Sequence, residues 1–186
     1  MKDALSIISG VLFMIAFIPY IRAIRRGETK PAKANTWPVL TMRMASKHTL
    51  NGQIIGAVAG AWTVALLALK YGTPGWTRLD KFCLSGAVLG IVLWQTFSDP
   101  VLAIVTCAAT LVLAAIPTFI SAWRDPGKEN RTAWMIYFLS CVAAIPAIPK
   151  WTLADAAQPV AFTFIETTMV VLLFVVPPVK RSWKGD

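Results

Sequence analysis

Six long apolar segments, separated by short polar or basic stretches, constrain the fold of this chain more than any other feature. They cover residues 4–24, 53–71, 81–97, 101–123, 132–149 and 159–178. A helix that crosses the apolar part of a bilayer needs about 20 mostly apolar residues. Since 56% of the 186 residues are hydrophobic and only 15% are charged, a soluble domain of this length could not bury its apolar surface. The sequence therefore predicts an all-α, polytopic membrane protein without a soluble catalytic domain.

A seventh, weaker candidate span covers residues 37–50 and carries Arg43, Lys47 and His48. The distribution of basic residues indicates whether this segment crosses the membrane. If it crosses and the N-terminus is outside, the inner side holds 14 of the 18 Lys and Arg residues; if it does not cross, 8 lie inside and 10 outside. Only the first arrangement follows the rule that cytoplasmic loops carry an excess of Lys and Arg. The sequence therefore predicts seven transmembrane helices, with the N-terminus outside and the C-terminus cytoplasmic.

An Ile-Pro pair, a basic loop and a tryptophan follow one another twice along the chain. The first copy contains Pro19 and Trp37, and the second contains Pro117 and Trp134; Arg26 and Arg124 follow the two prolines at the same distance. Two copies of three helices have the same orientation only if an odd number of helices joins them. The predicted organisation is therefore 3+1+3: a first three-helix repeat (residues 1–71), a linker helix (72–99), a second parallel three-helix repeat (100–178) and a cytoplasmic tail (179–186).

The stretches YIRAIRRGETKPAKANTW, DPVLAIVTCAATLVLAAIPTFISAWRDPGKEN and QPVAFTFIE resemble small bacterial members of the PQ-loop superfamily, to which the SWEET sugar transporters belong. The resemblance covers essentially the whole chain, although Tyr20 and Thr118 follow the prolines where the family's Pro-Gln pair has glutamine. It implies two parallel repeats, hinges at Pro19 and Pro117, and a substrate site midway across the membrane. It also implies a multi-pass protein of the bacterial inner membrane.

Glu166 is the only acidic residue deep within a predicted span, and Thr163 shares its helix face. A charged carboxylate at that depth costs several kcal/mol unless it is paired or hydrated. In one interpretation Glu166 lines a substrate pocket with Thr163 and binds a proton or a cationic substrate, and Trp62 stacks on a substrate ring. Arg43 and Lys47 instead receive an anionic substrate, or extend to the membrane edge. In the other, Glu166 forms a structural ion pair with Arg43 or Lys47, and Trp62 faces lipid or packs against another helix.

The sequence lacks the motifs of other functional classes. The three cysteines lie in apolar segments without CxxC spacing, and the chain contains no HExxH, GxSxG or P-loop pattern. We therefore expect no enzyme activity, no metal site and no cofactor. Basic residues at the ends of apolar segments indicate membrane orientation instead of nucleic-acid binding.

The sequence thus predicts a small-solute transporter with a proton link through Glu166 as an option. Its expected partners are the solute and membrane lipids. A non-transporting receptor or partner-binding scaffold on the same helix bundle is the alternative, and a homo-oligomer is compatible with either.

Overall fold

The computed structural model describes residues 1–29, 51–71, 81, 85, 88, 89, 92, 96 and 100–177. The elements of this part are α1 (Lys2–Arg26), α2 (Gly52–Tyr71), α3 (Pro100–Arg124), α4 (Arg131–Ala147) and α5 (Leu153–Phe174), with a short 3-10 turn at Pro126–Lys128. The all-helical class is therefore confirmed for the described residues. The predicted span at 37–50 lies outside them, as does most of the predicted linker helix.

Four of the described helices, α1, α2, α3 and α5, are long and apolar enough to cross a membrane, whereas α4 is apolar but shorter. The exposed side chains of α1 indicate that its surroundings are apolar. Ile7, Val11, Met14 and Ile18 are each about half exposed or more, and their spacing of three or four residues places them on one stripe. A contiguous apolar stripe of this kind is unusual on a soluble protein, so it supports the membrane class predicted from the sequence.

A row of glycines brings α1 and α2 close together. The amide of Gly52 donates a hydrogen bond of 3.0 Å to Ser6 Oγ. A Cβ atom at Gly56 would lie 3.0 Å from the carbonyl oxygen of Gly10, and one at Gly60 would overlap a phenylalanine ring of α1. The GxxxG spacing of α2 therefore allows backbone approach, as such small-residue faces do in membranes. Because residue numbers rise together across this interface, α1 and α2 are parallel.

The remaining contacts fix the direction of the other helices. Ser9 of α1 meets Ser140 of α4, and Lys2 meets Ile148, so α4 is antiparallel to α1. We call the end where α1 begins the Lys2 end and the opposite end the Arg26 end. Short turns join α3 to α4 and α4 to α5, which means that α1, α2, α3 and α5 all run from the Lys2 end to the Arg26 end. α1 packs against α2 and α4, while α5 packs against α3 and α4.

The last helix differs from its predicted bounds of 159–178. Thr152 caps α5 by accepting a hydrogen bond from the amide of Asp155, so the helix begins six residues earlier and contains Pro159 in its interior. The helix ends at Phe174, ahead of Pro177 and Pro178. This early end is expected because a proline disfavours helical conformation in the residue before it.

Candidate functional site

Glu166 lies inside the bundle, on the face of α5 that meets α4. Its residue is 3% exposed, and Oε2 has no hydrogen-bond partner within the described part of the chain. Its neighbours across the interface are Tyr137 and Cys141. Neither of the two ion pairs among the described residues includes Glu166. Arg43 and Lys47, the predicted cationic partners, lie outside the described residues. A buried polar atom left without a partner is rare and points to an unmet ligand or proton.

Two other predicted site residues have different positions relative to Glu166. Thr163 lies one turn earlier on α5, where Oγ1 donates a 2.7 Å hydrogen bond to the carbonyl of Pro159 and lies near the Cys141 thiol. Thr163 and Glu166 are thus both brought against α4. Trp62 is 44% exposed on α2, and no described contact joins it to Glu166. This exposure fits the interpretation in which Trp62 faces lipid.

Aromatic rings fill the interface from Phe162, one turn before Glu166 on α5, to Trp134 near the Arg26 end. The Phe13 ring lies 4.8 Å from that of Tyr137 and 5.5 Å from that of Phe162, measured between ring centroids. Phe17 and Trp134 contact Tyr137 edge to face, at 5.1 and 5.8 Å. These offset and edge-on contacts are the preferred arrangements of aromatic pairs. We call these five rings the aromatic wall, and Tyr137 of this wall lies beside Glu166.

Buried amides and hydroxyls form a network between Glu166 and the Lys2 end. Ser9 and Ser140 each donate a 2.9 Å hydrogen bond to the other's carbonyl oxygen. Gln53 donates to Ser140 Oγ at 3.2 Å and accepts from Gln158 at 2.9 Å. Asn51 completes the hydrogen-bond network by donating to Gln158 Oε1 at 2.8 Å. These five side chains join α1, α2, α4 and α5, and we call them the polar layer. Reasoning from the sequence missed this layer, although polar residues inside apolar segments were a visible signal.

A cavity of about 390 Å³ lies on the Lys2 side of the polar layer. Its charged lining residues are Lys2, Asp3 and Asp155, and three members of the polar layer, Ser9, Asn51 and Gln53, also line it. Glu166, Thr163 and Trp62 do not line this cavity. The second hydrogen of the Gln53 amide points to Cys141 Sγ at 3.3 Å. The polar layer therefore separates the cavity from Cys141 and from Glu166 beyond it.

A second acid, Glu129, lies partly buried at the Arg26 end. Trp134 Nε1 donates a 2.9 Å hydrogen bond to Glu129 Oε2, and Tyr20 of α1 faces the same carboxyl. Burial raises the pKa of Glu129 to about 7, and the hydrogen bond from Trp134 opposes that rise. The neighbouring Asn130 caps α4 and also reaches the carbonyl of Pro19 at 3.5 Å. The α3–α4 turn thus contacts α1 at its internal proline.

Comparisons with protein-family models, curated proteins and solved structures find no match for this chain. The relation to the PQ-loop superfamily therefore stays a prediction from the sequence. Function has to be argued from the helix arrangement and from the buried groups.

Proposed function

We propose that this protein is a small-solute transporter of the PQ-loop type that works by alternating access between two three-helix repeats, with Glu166 at the substrate site. The carboxyl of Glu166 carries this proposal, because Oε2 is buried in the middle of an apolar helix without a partner in the described part of the chain. An ionisable group at such a depth is expensive and typically belongs to a substrate, ion or proton pathway. A proton on Glu166 would remove the buried charge, and a positively charged solute would pair with it; either would offset the free-energy cost.

The internal repeat is supported by two helices that match in length and in the position of their proline. Both α1 and α3 contain 25 residues. Pro19 is residue 18 of α1 (19 − 2 + 1), and Pro117 is residue 18 of α3 (117 − 100 + 1). Each of these helices also packs against a parallel helix, α1 against α2 and α3 against α5. Equivalent first and third helices in two repeats would have this arrangement.

In this proposal the chain crosses the membrane seven times. Four described helices, α1, α2, α3 and α5, run from the Lys2 end to the Arg26 end, and α4 runs back. These directions are compatible with the spans that the sequence predicts at residues 37–50 and 81–97, which lie largely outside the described residues. With the basic residues of the Arg26 end facing the cytoplasm, the N-terminus lies outside the bacterial inner membrane.

The mechanism depends on where the bundle is closed. The polar layer separates Glu166 from the Lys2 end, and the aromatic wall separates it from the Arg26 end. Pro19 and Pro117 each lack the amide hydrogen that a helix needs at that position, so the Arg26-end halves of α1 and α3 can bend. Bending at the turn from Ile15 to Pro19 would move Phe17 away from Tyr137 and open the aromatic wall. Separation of the α1–α2 pair from α4 would open the polar layer. Alternation between these openings moves a solute past Glu166.

Flux measured in proteoliposomes tests the proposal. The panel contains radiolabelled sugars, amino acids, amines and vitamins, each assayed with and without an imposed pH gradient. We expect uptake of at least one class, reduced about tenfold or more by Glu166→Gln, because a neutral amide neither releases a proton nor pairs with a cation. Glu28→Gln, which alters an exposed acid paired with Arg26, is the matched control and keeps the flux.

The same assay decides between the transporter and the receptor or scaffold. The second candidate is favoured by the close packing of the described helices on both sides of Glu166, since a scaffold needs no pathway. Absence of flux for every class, from protein that elutes as a single folded species, would exclude transport. Full flux in Glu166→Gln would instead remove Glu166 from the site.

A further inference from the structure

The cavity at the Lys2 end has a charge pattern that differs from the rest of this strongly basic chain. The chain has a net charge of +9, yet the charged lining residues are one lysine and two aspartates, which sum to −1. Both aspartates lie in the first turn of a helix, Asp3 in α1 and Asp155 in α5. They therefore offset the partial positive charge that helix N-termini would otherwise present to an anion.

Hydrogen-bond capacity in the cavity also favours a ligand that donates. Lys2 Nζ already donates 2.9 Å hydrogen bonds to the carbonyls of Ile148 and Pro149, at the C-terminal end of α4. Both amide hydrogens of Gln53 are used within the bundle. Within the described residues, neither aspartate side chain takes part in an ion pair. The cavity thus offers carboxylate acceptors and few free donors.

We infer that this cavity binds small organic amines, with the protonated amino group held by the carboxylates of Asp3 and Asp155. Its volume of about 390 Å³ falls within the usual range for small-molecule sites, which is roughly 300–1,000 Å³. The site is distinct from Glu166, because the polar layer lies between them. The inference rests on the proposed function only for the step after binding: an amine that passes the polar layer meets a third carboxyl, Glu166, beside aromatic rings that favour cations.

Thermal unfolding of the purified full chain in detergent tests binding with three probes of similar shape: n-butylamine, n-butanol and butyrate. Only a ligand that binds the folded state raises the Tm. We expect a concentration-dependent rise with butylamine and none with the alcohol or the carboxylate. Asp3→Asn and Asp155→Asn should each weaken the apparent affinity for butylamine by about tenfold, as expected for the loss of a charged hydrogen-bond partner.

The matched control is Asp125→Asn, which changes an acid at the Arg26 end that pairs with Lys128 and keeps the affinity of the unaltered chain. Equal stabilisation by butanol, or unchanged affinity in both cavity variants, would overturn the inference. If Asp155→Asn does not fold, Asp3→Asn decides alone, since Asp3 is exposed and its loss leaves the interior intact.

Flux data separate this inference from the proposed function. Amine binding that depends on Asp3 and Asp155, with no flux of any solute, would support the site and refute transport. Transport of another solute class by a protein that butylamine does not stabilise would refute the amine site and leave transport standing.

Discussion

At the scale of single residues, two acids at different depths have different surroundings. Glu166 has a carboxyl oxygen without a partner in the described structure, beside Tyr137 and Cys141. Glu129 is partly buried at the Arg26 end and accepts a hydrogen bond from Trp134. Because the pKa of Glu129 is raised from 4.5 to about 7, its charge changes near neutral pH. This carboxyl also lies next to Asn130, which contacts the carbonyl of Pro19.

The raised pKa of Glu129 predicts a pH-dependent stability. The folded state binds more protons than the unfolded state between pH 4.5 and about 7, so the free energy of unfolding falls as pH rises through this window. The full contribution, about 3 kcal/mol at most at 1.36 kcal/mol per pKa unit, is present below pH 4.5 and lost above about 7. Glu129→Gln should flatten this fall in thermal unfolding measured across the window.

Two further variants test whether Glu129 causes the pH dependence of the stability. Trp134→Phe removes the hydrogen bond that lowers the pKa of Glu129, so the fall in stability should extend to higher pH. Glu28→Gln should retain the pH profile of the unaltered protein, because Glu28 is exposed. A Glu129→Gln profile as steep as that of the unaltered protein would assign the effect to another group.

At the scale of helices, the matched prolines of α1 and α3 provide the points at which these helices can bend in the proposed mechanism. Pro19 removes the hydrogen bond that its position would otherwise donate to Ile15, and both α1 and α3 nevertheless continue as helices to their last turn. The glycine interface with α2 holds the Lys2 half of α1, since Gly10 and Gly52 lie in direct contact there. The Lys2 half of α1 therefore moves together with α2, whereas the half that follows Pro19 can bend relative to it.

Restoring the missing amide should stiffen these helices. We expect Pro19→Ala and Pro117→Ala each to reduce solute flux about tenfold. The Tm should stay unchanged or rise, because proline in a helix interior costs about 3 kcal/mol or more. Pro146→Ala is the control, since Pro146 lies in the last turn of α4, and it should keep both flux and Tm. Flux that survives in both hinge variants would show that transport needs no bending at these positions.

At the scale of the whole molecule, sequence patterns predicted the elements better than the contacts between them. The helical class and the bounds of α1, α2 and α3 followed from long apolar segments and agree within two residues. The start of α5 was wrong by six residues, because Pro159 was interpreted as a helix start although Thr152 caps the helix earlier. Glu166 could be found as a lone acid in an apolar segment.

The polar layer could not be predicted, since its residues come from four helices and no spacing in the sequence joins them. Ser9 and Ser140, for example, are 131 residues apart and meet only because α1 and α4 are antiparallel neighbours. The cavity on the Lys2 side of the polar layer also results from packing between helices. Asp3 and Asp155 line it because α1 and α5 both begin at the Lys2 end. Tertiary packing, not local periodicity, therefore decides where the buried polar groups and the cavity lie.

The distribution of cations predicts the orientation of the whole molecule in the membrane. At the Lys2 end the described part of the chain carries two cations, Lys2 and Lys150. The Arg26 end carries a cluster of seven: Arg22, Arg25, Arg26, Lys70, Arg124, Lys128 and Arg131. Since positive loops stay in the cytoplasm, the turn between α4 and α5 should lie outside and the turn between α3 and α4 inside. Lys150 and Lys128 are both exposed, which makes them suitable positions for labelling.

Single cysteines at these two turns can report the orientation, in a chain whose own three cysteines are replaced by serine. In spheroplasts, a membrane-impermeant maleimide should label Lys150→Cys and should reach Lys128→Cys only after permeabilisation. Inverted membrane vesicles should give the opposite pattern, which controls for reactivity of the thiols. Labelling of Lys128→Cys in sealed spheroplasts would reverse the orientation and put the amine-binding cavity on the cytoplasmic side, where it would take up solutes for export instead of import.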